Sequence, residues 1–66
     1  MSDLTNKQQK IYDQIVNLKK EFPMVNPTVA QLARLFTMSR QGMTDHIKAM
    51  EVKGYILRLR GIEVIR

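Results

Sequence analysis

The chain has 66 residues, room for one domain, and a domain of that size buries only about 60% of the surface its unfolded form exposes. It is 44% hydrophobic and 6% aromatic with no cysteine and no tryptophan, which excludes disulfide staples and thiolate metal centres and leaves a core of Ile, Leu, Val and Met with two Tyr and two Phe. The formal net charge is +5, no apolar run approaches the roughly 20 residues that span a bilayer, and Met1-Ser2-Asp3-Leu4 lacks a signal-peptide layout, so a soluble cytoplasmic protein with no membrane partner is expected.

Three helical patterns and one hairpin pattern follow in order, expected to form a single domain over 1–66. The first helix is expected at about 6–22. Thr5 and Gln8 have capping-box spacing, and Ile11, Ile15, Leu18 and Phe22 repeat on one face with Tyr12 beside them. Lys19 and Lys20 suit the negative end of the helix dipole, Pro23 stops the helix, and Pro27 keeps Asn26 out of helical geometry. Met24-Val25-Asn26 is read as a candidate short strand.

A second, short helix is expected at about 29–35, with Thr28 as N-cap and Val29, Leu32, Ala33 and Phe36 on its buried face. Thr37 and Met38 break the pattern. The third helix, about 40–53, starts after Ser39, buries Met43, Ile47 and Met50, and ends at Gly54. Gly42 inside it costs about 1 kcal/mol relative to alanine, which marks either a close approach or a tolerated glycine.

From Tyr55 the pattern turns to strands, at about 55–59 and 62–66. A two-residue turn at Arg60-Gly61 pairs Leu59 with Ile62 and Leu57 with Val64 on one face, and Arg58 with Glu63 and Ile56 with Ile65 on the other. This order predicts an α+β, mainly α fold, a three-helix winged helix-turn-helix whose hairpin is the wing.

In such a fold the third helix enters the major groove of double-stranded DNA. At about 100° per residue, inward Met43, Ile47 and Met50 send Gln41, Asp45 and Lys48 outward, with Thr44 beside them and Ser39 and Arg40 at the tip. Arg can bond guanine bidentately, Gln can bond adenine, and Asp can accept from cytosine N4. The amides of residues 39–41 are candidate phosphate donors. Further phosphate or wing contacts are expected from Thr28, Lys53, Arg58 and Arg60, with Arg66 at the wing's base. Residues 34–66 hold seven Lys/Arg against three Asp/Glu, where residues 1–33 hold four against three. That asymmetry suits a polyanion, and equally a solvated surface.

Each feature has a plainer reading: any soluble helix shows a polar outer face, Arg58 has Glu63 to pair with, and the methionines are core. His46 is the sole histidine and has no second His or Cys to hold a metal with it, so a packed or capping role is expected. No nucleophile–base arrangement, carboxylate pair or phosphate loop is visible, so no catalytic residue, cofactor, metal or small-molecule substrate is expected.

These residues also resemble a known family. Leu4-Thr5-x-x-Gln8-Gln9, Pro27-Thr28 with Ala33, Ser39 followed by His46-x-Lys48-Ala49, Lys53-Gly54-x-Ile56 and Arg60-Gly61-Ile62 are similar, in order and spacing, to the N-terminal DNA-binding domain of LexA repressors. The resemblance runs from Leu4 to Ile65. It implies a winged helix that binds operator DNA through its third helix, with Ser39, Gln41, Gly42, Thr44 and Asp45 in the base-contacting stretch. Enterobacterial members share the Ser but carry Asn, Ala, Glu and Glu at the other four positions. The resemblance therefore implies the DNA-binding face but not those members' operator.

It also brings out what the sequence lacks, the family's C-terminal domain with its Ser/Lys self-cleavage dyad and dimer interface. Self-cleavage is not expected, and a homodimer on DNA or a protein partner would have to supply the affinity that a single module lacks. A bacterial or phage transcriptional repressor is the function expected, in prokaryotic cytoplasm or that of a phage-infected host. The alternative is a winged-helix protein-interaction module in a replication or regulatory complex, with Tyr55 and Leu57 carrying the contact.

Overall fold

The computed structural model describes residues 4–65. Helix α1 spans Asn6–Glu21, α2 Val29–Leu35 and α3 Arg40–Val52, and an antiparallel hairpin follows with β1 at Ile56–Leu59 and β2 at Gly61–Val64. This is the three-helix winged helix-turn-helix expected from the sequence. Arg66, expected at the base of the wing, lies outside the described residues.

Each helix starts on a side-chain hydroxyl. Gln8 N donates to Thr5 Oγ1 at 3.2 Å while Thr5 N donates to Gln8 Oε1 at 3.1 Å. Thr28 and Gln31 repeat the box at the start of α2, with distances of 3.2 and 2.9 Å. In α3, Gly42 N donates to Ser39 Oγ at 3.0 Å. Such caps are worth about 1 kcal/mol each, a large contribution in a domain this small.

The helix ends are equally local. Phe22, ahead of Pro23, sits at φ −130°, ψ 73°, so α1 stops one residue earlier than the spacing suggested. At the end of α3, Gly54 N donates to Glu51 O and Tyr55 N to Met50 O, at 3.0 and 3.1 Å, with Gly54 at φ 84°. That is a Schellman close. The end of α2 has the same two bonds, Thr37 N to Arg34 O at 3.2 Å and Met38 N to Ala33 O at 2.8 Å. Here the left-handed position is filled by Thr37, at φ 50°. A β-branched residue is strained there.

The buried core joins Ile11 and Ile15 of α1, Leu32 and Ala33 of α2, Met43, Ile47 and Met50 of α3, and Ile56 and Ile62 of the hairpin. Leu18 and Phe36 pack at its margin. Phe22 does not join the core as its spacing predicted. It is 53% exposed because the chain turns away before its side chain reaches the core, and it lines a shallow groove with Leu18, Val25 and Leu35.

Two further expectations are corrected. Met24-Val25-Asn26 is not a strand: residues 23–24 form a turn, and Val25 N bonds back to Phe22 O at 3.0 Å. What survives of a third strand is one bond, Ile62 N to Pro27 O at 2.9 Å. The hairpin register is also one residue away from the expected one. The pairs are Ile56 with Val64, Leu57 with Glu63, Arg58 with Ile62 and Leu59 with Gly61. A one-residue slip exchanges the two faces, so Ile56 and Ile62 are buried while Leu57 and Leu59 point outward.

The slip has a steric cause. Gly61 opens β2, at φ 100°, against the loop before α2. A Cβ on Gly61 would stand 2.7 Å from Asn26 Cβ, 3.1 Å from Asn26 O and 3.2 Å from Pro27 O. Only bare backbone fits there, and Arg60 alone makes the tip.

Gly61→Ala is therefore expected to cost about 2–4 kcal/mol, combining left-handed strain with overlap. Gly54→Ala, where nothing lies within 4 Å, should cost only the strain, about 1 kcal/mol. Urea unfolding of the two variants measures the difference, and equal losses would refute the packing account. By the same reasoning Thr37→Gly should stabilise the protein by about 1 kcal/mol.

Candidate nucleic-acid interface

Helix α3 is the second helix of a helix-turn-helix unit made with α2, and its rotation is set by what it buries. Met43, Ile47 and Met50 are each 0% exposed. The opposite face then carries Gln41, Asp45 and Lys48, all exposed, with Ser39 and Arg40 exposed at the N-terminal tip. Thr44 is half-buried at the flank, as is His46. Gly42 is half-buried too, and a Cβ there would stand 3.2 Å from Ser39 Oγ and 3.5 Å from Met38 Cε. The close approach at this glycine is to the helix's own cap.

The outer face has internal order. Gln41 Nε2 donates to Asp45 Oδ1 at 3.1 Å, one helical turn apart. At the tip, the first amides of the helix have no intrahelical acceptor, so donors are grouped next to the Arg40 side chain.

The other candidate residues are dispersed. Thr28 is exposed at the start of α2, and its hydroxyl and amide are both engaged by Gln31 in the capping box. Lys53 sits at the far end of α3 from Ser39, and its Nζ donates to Gln8 Oε1 at 3.0 Å. Gln8 is 6% exposed, so this bond ties the start of α1 to the end of α3 from a nearly buried acceptor. Arg58 and Arg60 are exposed on the wing. The cross-strand partner of Arg58 is Ile62, not Glu63 as the expected register required.

Two features were absent from the sequence reading. One is the burial of Gln8, which its place one turn before Ile11 on the apolar stripe signals. Asn26 forms the other: Lys19 Nζ donates to its Oδ1, and its Nδ2 reaches Arg60 O at 3.3 Å and Glu63 Oε1 at 3.4 Å. This amide links α1 to the wing tip, a contact between distant parts of the chain that no local pattern announces. Tyr12 and Tyr55 meet edge to face, with centroids 5.7 Å apart, where α1 passes the base of the wing. Among the described residues no three His, Cys, Asp or Glu side chains converge, and no helix is long and apolar enough to cross a membrane.

The family model described as LexA DNA binding domain matches residues 1–62. The LexA repressor of Leptospira interrogans is 40% identical over 72 aligned positions, which cover 100% of this chain and 34% of the repressor. That of Leptospira biflexa is 36% identical over 72 positions, with the same coverage of 100% and 34%. That of Alcanivorax borkumensis is 38% identical over 69 positions, covering 97% of this chain and 33% of its own length. The chain thus spans about a third of the length of the curated relatives it matches.

Proposed function

The chain belongs to the LexA DNA-binding domain family, and from that premise we propose that it is a sequence-specific double-stranded DNA-binding module that inserts α3 into the major groove and acts as a transcriptional repressor. The observation that carries this reading is the polar, cation-tipped outer face of a helix whose inner face is fully buried. Arg40 and Ser39 meet the duplex first, Gln41, Thr44 and Asp45 face base edges, and Lys48 reaches the phosphates. Gly42 keeps the backbone low between them. Arg58 and Arg60 contact phosphate or the adjacent minor groove from the wing, and Thr28 adds a hydroxyl at the start of α2. Lys53 stays clear of the duplex because it caps the end of α3 opposite the tip, where its Nζ donates to Gln8 Oε1.

The matched relatives are named LexA repressors, which supports repression as the role, and we place that role in a bacterial or phage-infected cytoplasm. One module covers one half-site. A second copy bound beside it, or a protein partner, raises affinity by about 10²–10⁴-fold when the two are linked. No step of this function needs a cofactor, metal or catalytic group.

Outward Leu57 and Leu59, 38% and 69% exposed, favour a second reading, a protein-interaction module. In that case Leu59→Ser would remove partner binding and Arg40→Ala would not.

Selection from random duplexes, with affinities then measured at two salt concentrations, separates the readings. DNA binding predicts enrichment of one motif and a steep loss of affinity with salt. Arg40→Ala and Arg60→Ala should each weaken binding and lower the salt slope by about 1, while Lys53→Ala leaves the slope unchanged. Absence of duplex binding at low salt would reject the DNA reading.

A further inference from the structure

We propose that Asp45 is a positioning residue that fixes the side-chain amide of Gln41 so that the pair selects adenine, an inference that rests on the DNA-binding assignment of α3. The Gln41 Nε2 to Asp45 Oδ1 bond, at 3.1 Å, is the observation behind it.

A terminal amide is ambiguous by itself, since rotating it half a turn exchanges a donor for an acceptor. The Asp45 carboxylate removes the ambiguity. It can only accept, so the NH₂ end of Gln41 must face Asp45. One N–H is then used within the helix. When Asp45 takes the N–H that points away from Oε1, the second N–H and Oε1 remain, a donor and an acceptor side by side on an exposed residue.

The major-groove edges of the four bases differ in what they offer such a pair. Adenine presents the N7 acceptor beside the N6 amino donor and satisfies both groups at once. Guanine presents two acceptors, which leaves Oε1 unmatched. Thymine offers one acceptor beside a methyl group, and cytosine offers a donor without an adjacent acceptor. The second oxygen of Asp45 adds to the selection. It favours an amino donor on the neighbouring base, adenine N6 or cytosine N4, and repels the O6 and N7 acceptors of guanine.

The bond also acts before DNA arrives. Glutamine is among the side chains that lose most rotamer freedom when ordered, and an i,i+4 bond to aspartate restricts it in the free protein. Less freedom is then lost on binding, which raises affinity for the matching base without adding a contact.

The test is a double-mutant cycle read as base preference. Duplexes that differ at single base pairs are titrated with the wild type, Gln41→Ala, Asp45→Ala and the double variant. Helicity is checked by circular dichroism, since both residues are on the surface. The wild type should prefer adenine over the other bases at one position by about tenfold or more. Each single substitution should abolish that preference, the double variant should add nothing further, and Asp45→Glu, which keeps an acceptor within reach, should retain it.

Retention of the full adenine preference by Asp45→Ala, with its loss in Gln41→Ala, would overturn the positioning role. A preference untouched by either change would overturn the pair altogether. In the DNA-free protein, the Gln41 amide proton resonances should move in Asp45→Ala, and unmoved signals would refute the pairing independently of DNA. Failure of the wild type to bind any duplex would strike the DNA-binding assignment itself and this inference with it.

Discussion

Burial of Met43, Ile47 and Met50 fixes the angle at which α3 stands in the domain, and the outer face depends on that angle. A helix with three fully buried anchors spaced four and three residues apart cannot roll. A rotation of one residue, about 100°, would expose the methionines, and in one sense would sink Lys48 in their place. The rest of the molecule holds those anchors from several sides. Leu32 and Ala33 close the α2 side, Ile11 and Ile15 the α1 side, and Ile56 and Ile62 the hairpin side. Gln41, Asp45 and Lys48 are therefore presented by a rigid support.

A domain this small cannot rely on its core alone, and its local chemistry is correspondingly dense. Three hydroxyl caps start the helices, and two Schellman closes end α2 and α3. The Gln8 side chain serves two of these structures together, as capping partner of Thr5 and as acceptor for Lys53. Thr37 is the exception to this local agreement. The turn between α2 and α3 asks for a residue tolerant of positive φ, and a threonine occupies it.

The helices were legible because their signals are local and redundant: a cap, a stripe of period 3.6 and a breaker agree at each one. The outward placement of Gln41, Asp45 and Lys48 followed from the same periodicity. The hairpin register was not legible, because Ile56-Leu57-Arg58-Leu59 and Ile62-Glu63-Val64-Ile65 carry apolar residues on both faces and alternation cannot choose between them. The deciding contact, Gly61 against Asn26 and Pro27, joins segments more than thirty residues apart. Phe22 misled for a related reason. Periodicity assumes that the helix continues, and Pro23 ends it before the spacing takes effect. At the site, the spacing of Gln41 and Asp45 is readable in the sequence, but the bond that joins the two side chains is seen only in the folded chain.

The wing has a consequence of a different kind. Among the described residues strand β1 has one ladder partner, β2, which leaves its other side as a rim next to the exposed Leu57 and Leu59. Such a rim invites the same strand of another molecule, and natural proteins commonly defend it with charge. Arg58 lies within that strand and Arg60 at its tip, both exposed. Two rims meeting would bring arginine near arginine, and their like charges oppose that pairing. Dissolved salt screens that repulsion, so contact between copies through the wing is opposed least at high ionic strength.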